Sequence, residues 1–135
     1  MKLPKISQVD VIYALPDVLV AEGFVEVIIV SGKRETRITC DPDTDEIRFK
    51  IGKRRKIPGR DEILRGKYKV QWMWLLKNQN DYCDGFRIQL SSDRGWRTLE
   101  FVSICSTVDV FEPQKRLLKT DYFRSDYYAS SFILV

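Results

Sequence analysis

The sequence contains no histidine, and this absence removes several kinds of chemistry from consideration. Histidine is the general base of nucleophilic triads and the commonest metal ligand in proteins. Cysteine is also scarce. Cys40, Cys83 and Cys105 form no CxxC pair, whereas structural zinc needs four Cys or His ligands at close spacing. We interpret the cysteines as small, half-buried apolar side chains, and predict no metal and no cofactor.

Long hydrophobic runs are absent as well. No stretch approaches the roughly 18 consecutive apolar residues that a transmembrane helix needs. The first 15 residues carry two lysines, a proline and an aspartate where a signal peptide would have its apolar stretch. We therefore expect a cytoplasmic protein.

What the sequence does contain is a series of short strand patterns within 135 residues, the length of a single domain (1–135). Alternating or continuous apolar patterns occur at 23–31, 36–41, 46–51, 68–76, 86–90 and 96–112. The polar middle of the last pattern predicts a bend that splits it. Helical signals are weak, with a single turn at 61–68 and a candidate at 113–128. We predict an α+β, β-rich domain with a mainly antiparallel sheet of about six strands.

The inward positions of these patterns define the predicted core. The strand at 72–76 is apolar on both faces, which favours a central strand or one covered by another element. The predicted core residues are Phe24, Val27, Ile29, Ile38, Ile47, Phe49, Trp72, Trp74, Phe86, Ile88, Phe101, Val102 and Ile104.

Two acidic stretches resemble functional loops but are better explained as turns. Residues 40–47 place aspartates at alternate positions, as a calcium loop does, but Glu46 and Gly52 stand where that loop needs glycine and glutamate. We predict a hairpin turn there. Residues 77–85 also predict a turn, with Asp84-Gly85 as its turn dipeptide. The polar residues of this second turn form a candidate polar site: Asn78, Asn80, Asp81 and Asp84.

Positive charge is concentrated in one segment. Residues 48–69 contain ten Lys or Arg against two acids, a local net charge of +8 in a chain whose total is +4. We predict a basic loop at 52–67 in which Lys53 to Lys56 lie exposed and poorly ordered, and which binds an acidic partner. A solvated loop that only keeps the protein soluble is the alternative. The predicted partner-binding residues are Lys53, Arg54, Arg55, Lys56, Arg60, Arg65 and Lys67.

The C-terminal segment, 113–135, is rich in aromatics for a chain end. Residues 119–135 include five aromatic residues and finish in an apolar run, a composition unlike that of disordered tails. We expect this segment to dock on its own domain, as a final strand or cover, or on a second copy. A homodimer is expected in either case.

Two stretches resemble a known family. The segments "EVIIVSGKRETRITCDPDTDEI" (26–47) and "WMWLLKNQNDYCDGFRIQL" (72–90) are similar to small uncharacterised bacterial proteins that are frequent in cyanobacteria. The shared features are a strand–PDxD–strand hairpin and a W-x-W strand followed by a polar turn. The resemblance implies a compact β-rich domain of unknown function with no established catalytic residues.

Three functions remain open on the sequence alone. We favour a non-enzymatic protein-binding or regulatory module, because histidine and nucleophile motifs are absent and the basic charge forms one patch. The second is a nucleic-acid-binding protein that uses 48–69 for phosphates, with Trp96, Tyr68 and tail aromatics as stacking groups. The third is an enzyme that works through carboxylates such as Asp81 and Asp84.

Overall fold

The structure of the protein, a computed structural model, describes residues 3–16, 23–56, 59–77, 82–104 and 106–112, and the backbone of residues 128–134. All regular elements in these ranges are strands, so the prediction of an α+β domain is wrong and the described part is all-β. The strands are β1 (Gln8–Pro16), β2 (Phe24–Ser31), β3 (Arg34–Cys40), β4 (Ile47–Lys53), β5 (Asp61–Lys77), β6 (Cys83–Ser92), β7 (Gly95–Ile104), β8 (Thr107–Phe111) and β9 (Tyr128–Leu134).

Helical signals in the sequence do not become helices. The turn predicted at 61–68 is the first half of β5, where Leu64 is buried and pairs with Ile12 of β1. Pairing with β1 satisfies backbone groups that an isolated helical turn leaves open. The candidate at 113–128 lies outside the described residues except for Tyr128, which begins β9. Across the described ranges, no helix has the length and apolar character needed to cross a membrane.

Six strands form a closed antiparallel sheet. Their order is β1–β5–β6–β7–β8–β2, and β2 pairs with β1 again to complete the ring. β5 has 17 residues and pairs with three strands. Its first half pairs with β1, and its second half pairs with β6 on one edge and with β9 on the other. β3 and β4 continue the sheet outward from β2. The mainly antiparallel sheet is confirmed, with nine described strands rather than about six.

The main core fills the inside of the closed sheet. Its aromatic centre is Phe86, stacked at 5.8 Å on Phe101 and met edge-on at 5.1 Å by Phe49 of β4. Because Ile38 and Ile47 are also buried in this core, the β3–β4 hairpin folds over the closed sheet and contributes to its interior. Burying side chains of this size stabilises a fold by about 1.5–3 kcal/mol each.

The two tryptophans of β5 do not lie in the core as predicted. Val70 and Met73 are both buried in the core although they are three positions apart, whereas side chains on one face of a regular strand are two apart. A bulge between Val70 and Trp72 causes this difference. A one-residue shift moves the following side chains to the other face of a strand. Trp72 and Trp74 are therefore partly buried on the outer face and stack on each other at 6.2 Å. Three other predicted core residues are also only partly buried: Phe24, Phe49 and Ile104.

The turn predicted between β3 and β4 is confirmed. The Asp41 side chain accepts a hydrogen bond from the Asp43 amide at 2.9 Å, and its backbone carbonyl accepts one from Asp45. This is the aspartate turn that the sequence predicts. The hydrogen bond from the Asp43 amide holds the pKa of Asp41 below its ordinary value.

The turn dipeptide predicted at Asp84-Gly85 is wrong, because both residues lie inside β6. Gly85 is placed where a side-chain carbon would come within 3.0 Å of Leu76 on β5. Close approach of the two strands, rather than a turn, explains this glycine. The split predicted within 96–112 is confirmed, since β7 ends at Ile104 and β8 begins at Thr107.

The link between β4 and β5 connects two strands that are not neighbours in the sheet. β4 lies beyond β3 and β2, whereas β5 pairs with β1, so three strands separate them. A second buried cluster on β1 and β2 meets the end of this link, where Arg60 stacks on Tyr13; its members are Val11, Tyr13, Ile28 and Val30. Of the basic loop predicted at 52–67, only 54–60 connects strands, since β4 runs to Lys53 and β5 starts at Asp61.

Candidate anion-binding cleft

A cleft of about 770 Å³ lies where the β2–β3 turn meets the end of β4 and the β4–β5 link. Of the eight described residues that line it, seven are lysine or arginine and none is acidic. We call it the basic cleft. Its lining residues are Gly32, Lys33, Arg34, Lys53, Arg54, Arg55, Lys56 and Arg60.

The β2–β3 turn is fixed by Gly32. Its φ of 62° at the first central position of a two-residue hairpin is typical of a type II′ turn, which favours glycine there. The Gly32 amide donates to Asp10 of β1 at 2.6 Å, and the carbonyl of Lys33 accepts from the Arg54 amide at 2.9 Å. The turn is thus tied both to β1 and to the link, which together shape one wall of the cleft.

Arg55 attaches the link to the sheet. Its amide and Nε donate to the two oxygens of Glu35 at 2.6 and 2.9 Å, and its terminal nitrogen reaches Glu26 at 3.1 Å. The Glu35 side chain is 1% exposed. The hydrogen bond with Glu35 raises the pKa of Arg55. Arg55 therefore holds the cleft together, while its side chain remains partly exposed at the surface.

Arg60 closes the other side of the cleft by stacking on Tyr13. Its guanidinium carbon lies 3.8 Å from the centre of the Tyr13 ring, a close cation–π contact. Arg65 approaches the same residue, donating to the Tyr13 hydroxyl at 2.9 Å. It also pairs with Glu62 at 2.6 Å, and this hydrogen bond raises the pKa of Arg65.

The remaining cations of the cleft are exposed and have no acidic partner within the ranges that the structure describes. They are Lys33, Arg34, Lys53, Arg54 and Lys56. Arg34 and Lys53 are even cross-strand partners, an arrangement that costs stability for like charges. The basic cleft therefore presents uncompensated positive charge on a concave surface, which is suited to a bound anion.

Five of the seven predicted partner-binding residues line the cleft. They are Lys53, Arg54, Arg55, Lys56 and Arg60. Lys53 to Lys56 are exposed, as predicted, but Arg55 differs from the others because Glu35 and Glu26 bind it. The other two predicted residues, Arg65 and Lys67, lie on β5 and line a neighbouring depression.

Sequence reasoning missed Lys33 and Arg34. They lie 15 and 14 positions before the start of the basic segment at 48–69, and only the pairing of β3 with β4 brings Arg34 opposite Lys53. The glycine followed by two cations between two strand patterns is a signal of a hairpin turn with a charged tip. Pairing the strand that follows this turn with the next predicted strand, residue by residue, would have placed Lys33 and Arg34 beside Lys53.

The candidate polar site is not assembled in the described residues. Asn78, Asn80 and Asp81 lie outside them, and Asp84 is buried within β6. No group of three or more Cys, Asp or Glu that could hold a metal ion occurs in the part of the chain that the structure describes. Cys40 is partly buried and Cys83 buried, while Cys105 lies outside the description. Burial raises the pKa of the Cys40 thiol, which keeps it in the unreactive protonated form.

Comparison with known proteins gives a family but no function. A search of curated proteins and a search of solved structures each gave no significant match. Residues 3–116, which include all of the basic cleft, match the model of a family of unknown function, DUF6334. The chain therefore belongs to this family of unknown function.

Proposed function

We propose that this protein is a non-enzymatic binding module that holds the sugar–phosphate backbone of a nucleic acid in the basic cleft. The observation that supports this most directly is the set of five exposed cations around one concavity with no acidic partner in the described ranges. Successive phosphates of a nucleic acid would neutralise such cations and release condensed counterions, which drives binding at low salt.

An acidic protein, the partner favoured by the sequence, fits the cleft less well. Protein–protein interfaces are usually centred on buried aromatic or aliphatic side chains, with charge at the rim. Among the described residues, the lining of the basic cleft has no aromatic or aliphatic side chain and consists of Gly32 and cations. Phosphate groups need no apolar centre. The acidic protein is therefore the competing outcome of the same experiment.

The kinds of cation in the cleft also suit phosphates. Arg34 and Arg54 offer planar guanidinium groups that bind phosphate oxygens in pairs, whereas Lys53 and Lys56 act as point charges. Contacts of this kind position a nucleic acid without reading its bases. We therefore expect binding that depends little on sequence.

A titration by fluorescence anisotropy tests the proposal. The probes are a labelled oligonucleotide of about 16 nucleotides and a labelled polyglutamate of similar length. A variant with Lys53→Gln and Lys56→Gln should bind the oligonucleotide at least about tenfold more weakly at low salt, since each lysine removes one phosphate contact. The matched control, Lys5→Gln with Lys50→Gln, removes two exposed lysines outside the cleft and should bind almost as wild type.

Two results would contradict the proposal. If polyglutamate binds more tightly than the oligonucleotide at equal salt, the acidic protein replaces the nucleic acid as the partner. If the two double variants lose equal affinity, the attraction is a property of total charge and the cleft is not a site.

A further inference from the structure

A second groove begins beside the basic cleft and carries the most exposed aromatic residue described. One depression of about 240 Å³ is lined by Arg65, Lys67, Tyr68 and Arg94, among others. A neighbouring depression of about 300 Å³ shares Tyr68 and Arg94 and ends at Trp96. Because the two share these residues, they form one continuous groove, which we call the Trp96 groove.

Trp96 is held out of the core by the turn that precedes it. It is 58% exposed, more than any other large apolar side chain in the described ranges. The turn between β6 and β7 ends at Gly95, whose φ of 113° favours glycine, and Trp96 then pairs with Ser91 at the start of β7. Trp72 and Trp74 differ, since they stack on each other and are partly buried. Exposure of Trp96 is thus not explained by packing.

Four cations and two acids, Asp93 and Glu112, line the rest of the groove, and Glu112 is paired with Arg97. Lys67 and Arg94 are exposed and have no acidic partner among the described residues. Arg65, at the near end of the groove, binds the Tyr13 hydroxyl, and Arg60 of the basic cleft stacks on the same Tyr13 ring. Cationic side chains therefore follow one another from the cleft to Trp96.

We infer that the nucleic acid bound by this protein is single-stranded, with its backbone in the basic cleft and a base stacked on Trp96. This inference rests on the proposed function and adds the strandedness of the ligand. An exposed aromatic within a basic groove is the usual platform for unpaired bases, because every base offers a flat face to stack. In a duplex the bases are stacked on one another and do not reach such a platform. An acidic peptide would need neither the ring nor a groove of this length.

The inference is tested by measuring the affinity of the full chain for unlabelled single strands and for duplexes of equal length. Trp96→Ala should weaken binding of the single strand by about tenfold, as measured for loss of one stacked base, and leave duplex binding within about twofold. Trp96→Phe should restore most of the single-strand affinity, because phenylalanine retains a stacking face. Tyr82→Ala is the matched control, since it removes another exposed aromatic ring, 45% exposed, that lines neither the cleft nor the groove.

The outcomes separate the two proposals. If Trp96→Ala binds the single strand as wild type does while Lys53→Gln with Lys56→Gln loses affinity, the inference is overturned and the proposed function stands. Equal loss on single strand and duplex would also overturn it, since Trp96 would then not recognise unpaired bases. If neither nucleic acid binds at low salt, the proposed function itself fails.

Discussion

Arginine has opposite roles in two regions of this protein, the basic cleft and the outer face of β5–β7. On that outer face, Arg87 of β6 donates to Glu100 of β7 at 2.6 Å and lies 5.5 Å from the centre of the Trp74 ring. Glu100 is 1% exposed, and burial lowers the pKa of Arg87. In the basic cleft, Arg34 and Arg54 are exposed and have no acidic partner in the described ranges.

The difference indicates which charges belong to the fold and which are available to a ligand. A buried carboxylate must keep its cation, because a charge left alone in the interior costs several kcal/mol. An exposed cation beside other cations does not stabilise the fold, and its repulsion with them slightly lowers the free energy of unfolding. Arg55 lies between the two cases, since it is partly exposed but bound to buried Glu35. Substitutions should therefore separate the regions by their effect on stability.

The largest effect is expected at Arg87. Arg87→Ala leaves the Glu100 carboxylate buried without this cation and should lower the free energy of unfolding by about 3 kcal/mol. Arg87→Met combined with Glu100→Leu removes both charges and should recover most of the loss. Urea denaturation measures both variants. If Arg87→Ala is as stable as wild type, the pair is not structural and the contrast between the regions fails.

A smaller loss is expected at Arg55. Arg55→Gln removes charged hydrogen bonds to buried Glu35 and should lower the free energy of unfolding by about 1 kcal/mol, because Arg37 still lies 3.6 Å from that carboxylate. Arg54→Gln, one position earlier, should change it by less than about 0.5 kcal/mol. Chemical denaturation of the two variants side by side checks the prediction. Equal stabilities would mean that Arg55 is an ordinary surface residue.

The ion pair between Asp41, in the turn after β3, and Arg48 of β4 allows a test of how stability depends on pH. Asp41 has a pKa below its ordinary value in the folded protein, held down first by the Asp43 amide and then by Arg48. Its stabilisation is therefore present above the ordinary pKa, near 4, and is lost as the pH falls through the lower folded value. Asp41→Asn should be less stable than wild type at pH 7, and the gap should close in acid. If the difference in stability between Asp41→Asn and wild type does not change with pH, titration of Asp41 is not its cause.

The smallest effect on stability is expected in the cleft itself. Lys53→Gln relieves the repulsion with Arg34 across the β3–β4 pair, so the free energy of unfolding should stay constant or rise by a few tenths of a kcal/mol, about the size of one cross-strand pair. Thermal and urea denaturation measure this change. A clear loss of stability would show that Lys53 has a structural partner, and would remove it from the binding surface.

Most of the strands, though not β1, were predictable from alternating or continuous apolar side chains. The patterns at 36–41, 46–51 and 86–90 correspond to β3, β4 and the middle of β6. Closure of the sheet was not predictable, since it depends on β1 pairing with both β2 and β5. The outward position of Trp72 also escaped prediction, because a single bulge reverses the faces of a strand without a sequence signal at that point.

The cleft was predictable in part for the same reasons. Lys53 to Lys56 and Arg60 are close in sequence, and charge density alone identified them. Lys33 and Arg34 join them only through strand pairing, and Arg55 is separated from its neighbours only by its contact with Glu35. The sequence shows how many charges a segment carries, but the residue that each charged side chain contacts depends on the fold.

The central claim is that the cations of the basic cleft bind phosphates, and the salt dependence of binding tests it most directly. Five phosphate contacts with a single strand, at about −0.7 each, predict that log K falls with log salt concentration with a slope of about −3.5, measured between about 50 and 200 mM salt. The variant with Lys53→Gln and Lys56→Gln should make this slope shallower by about 1.4, about 0.7 for each lysine, and the Lys5→Gln with Lys50→Gln control should leave it unchanged. A slope that is the same in all three proteins would contradict the account.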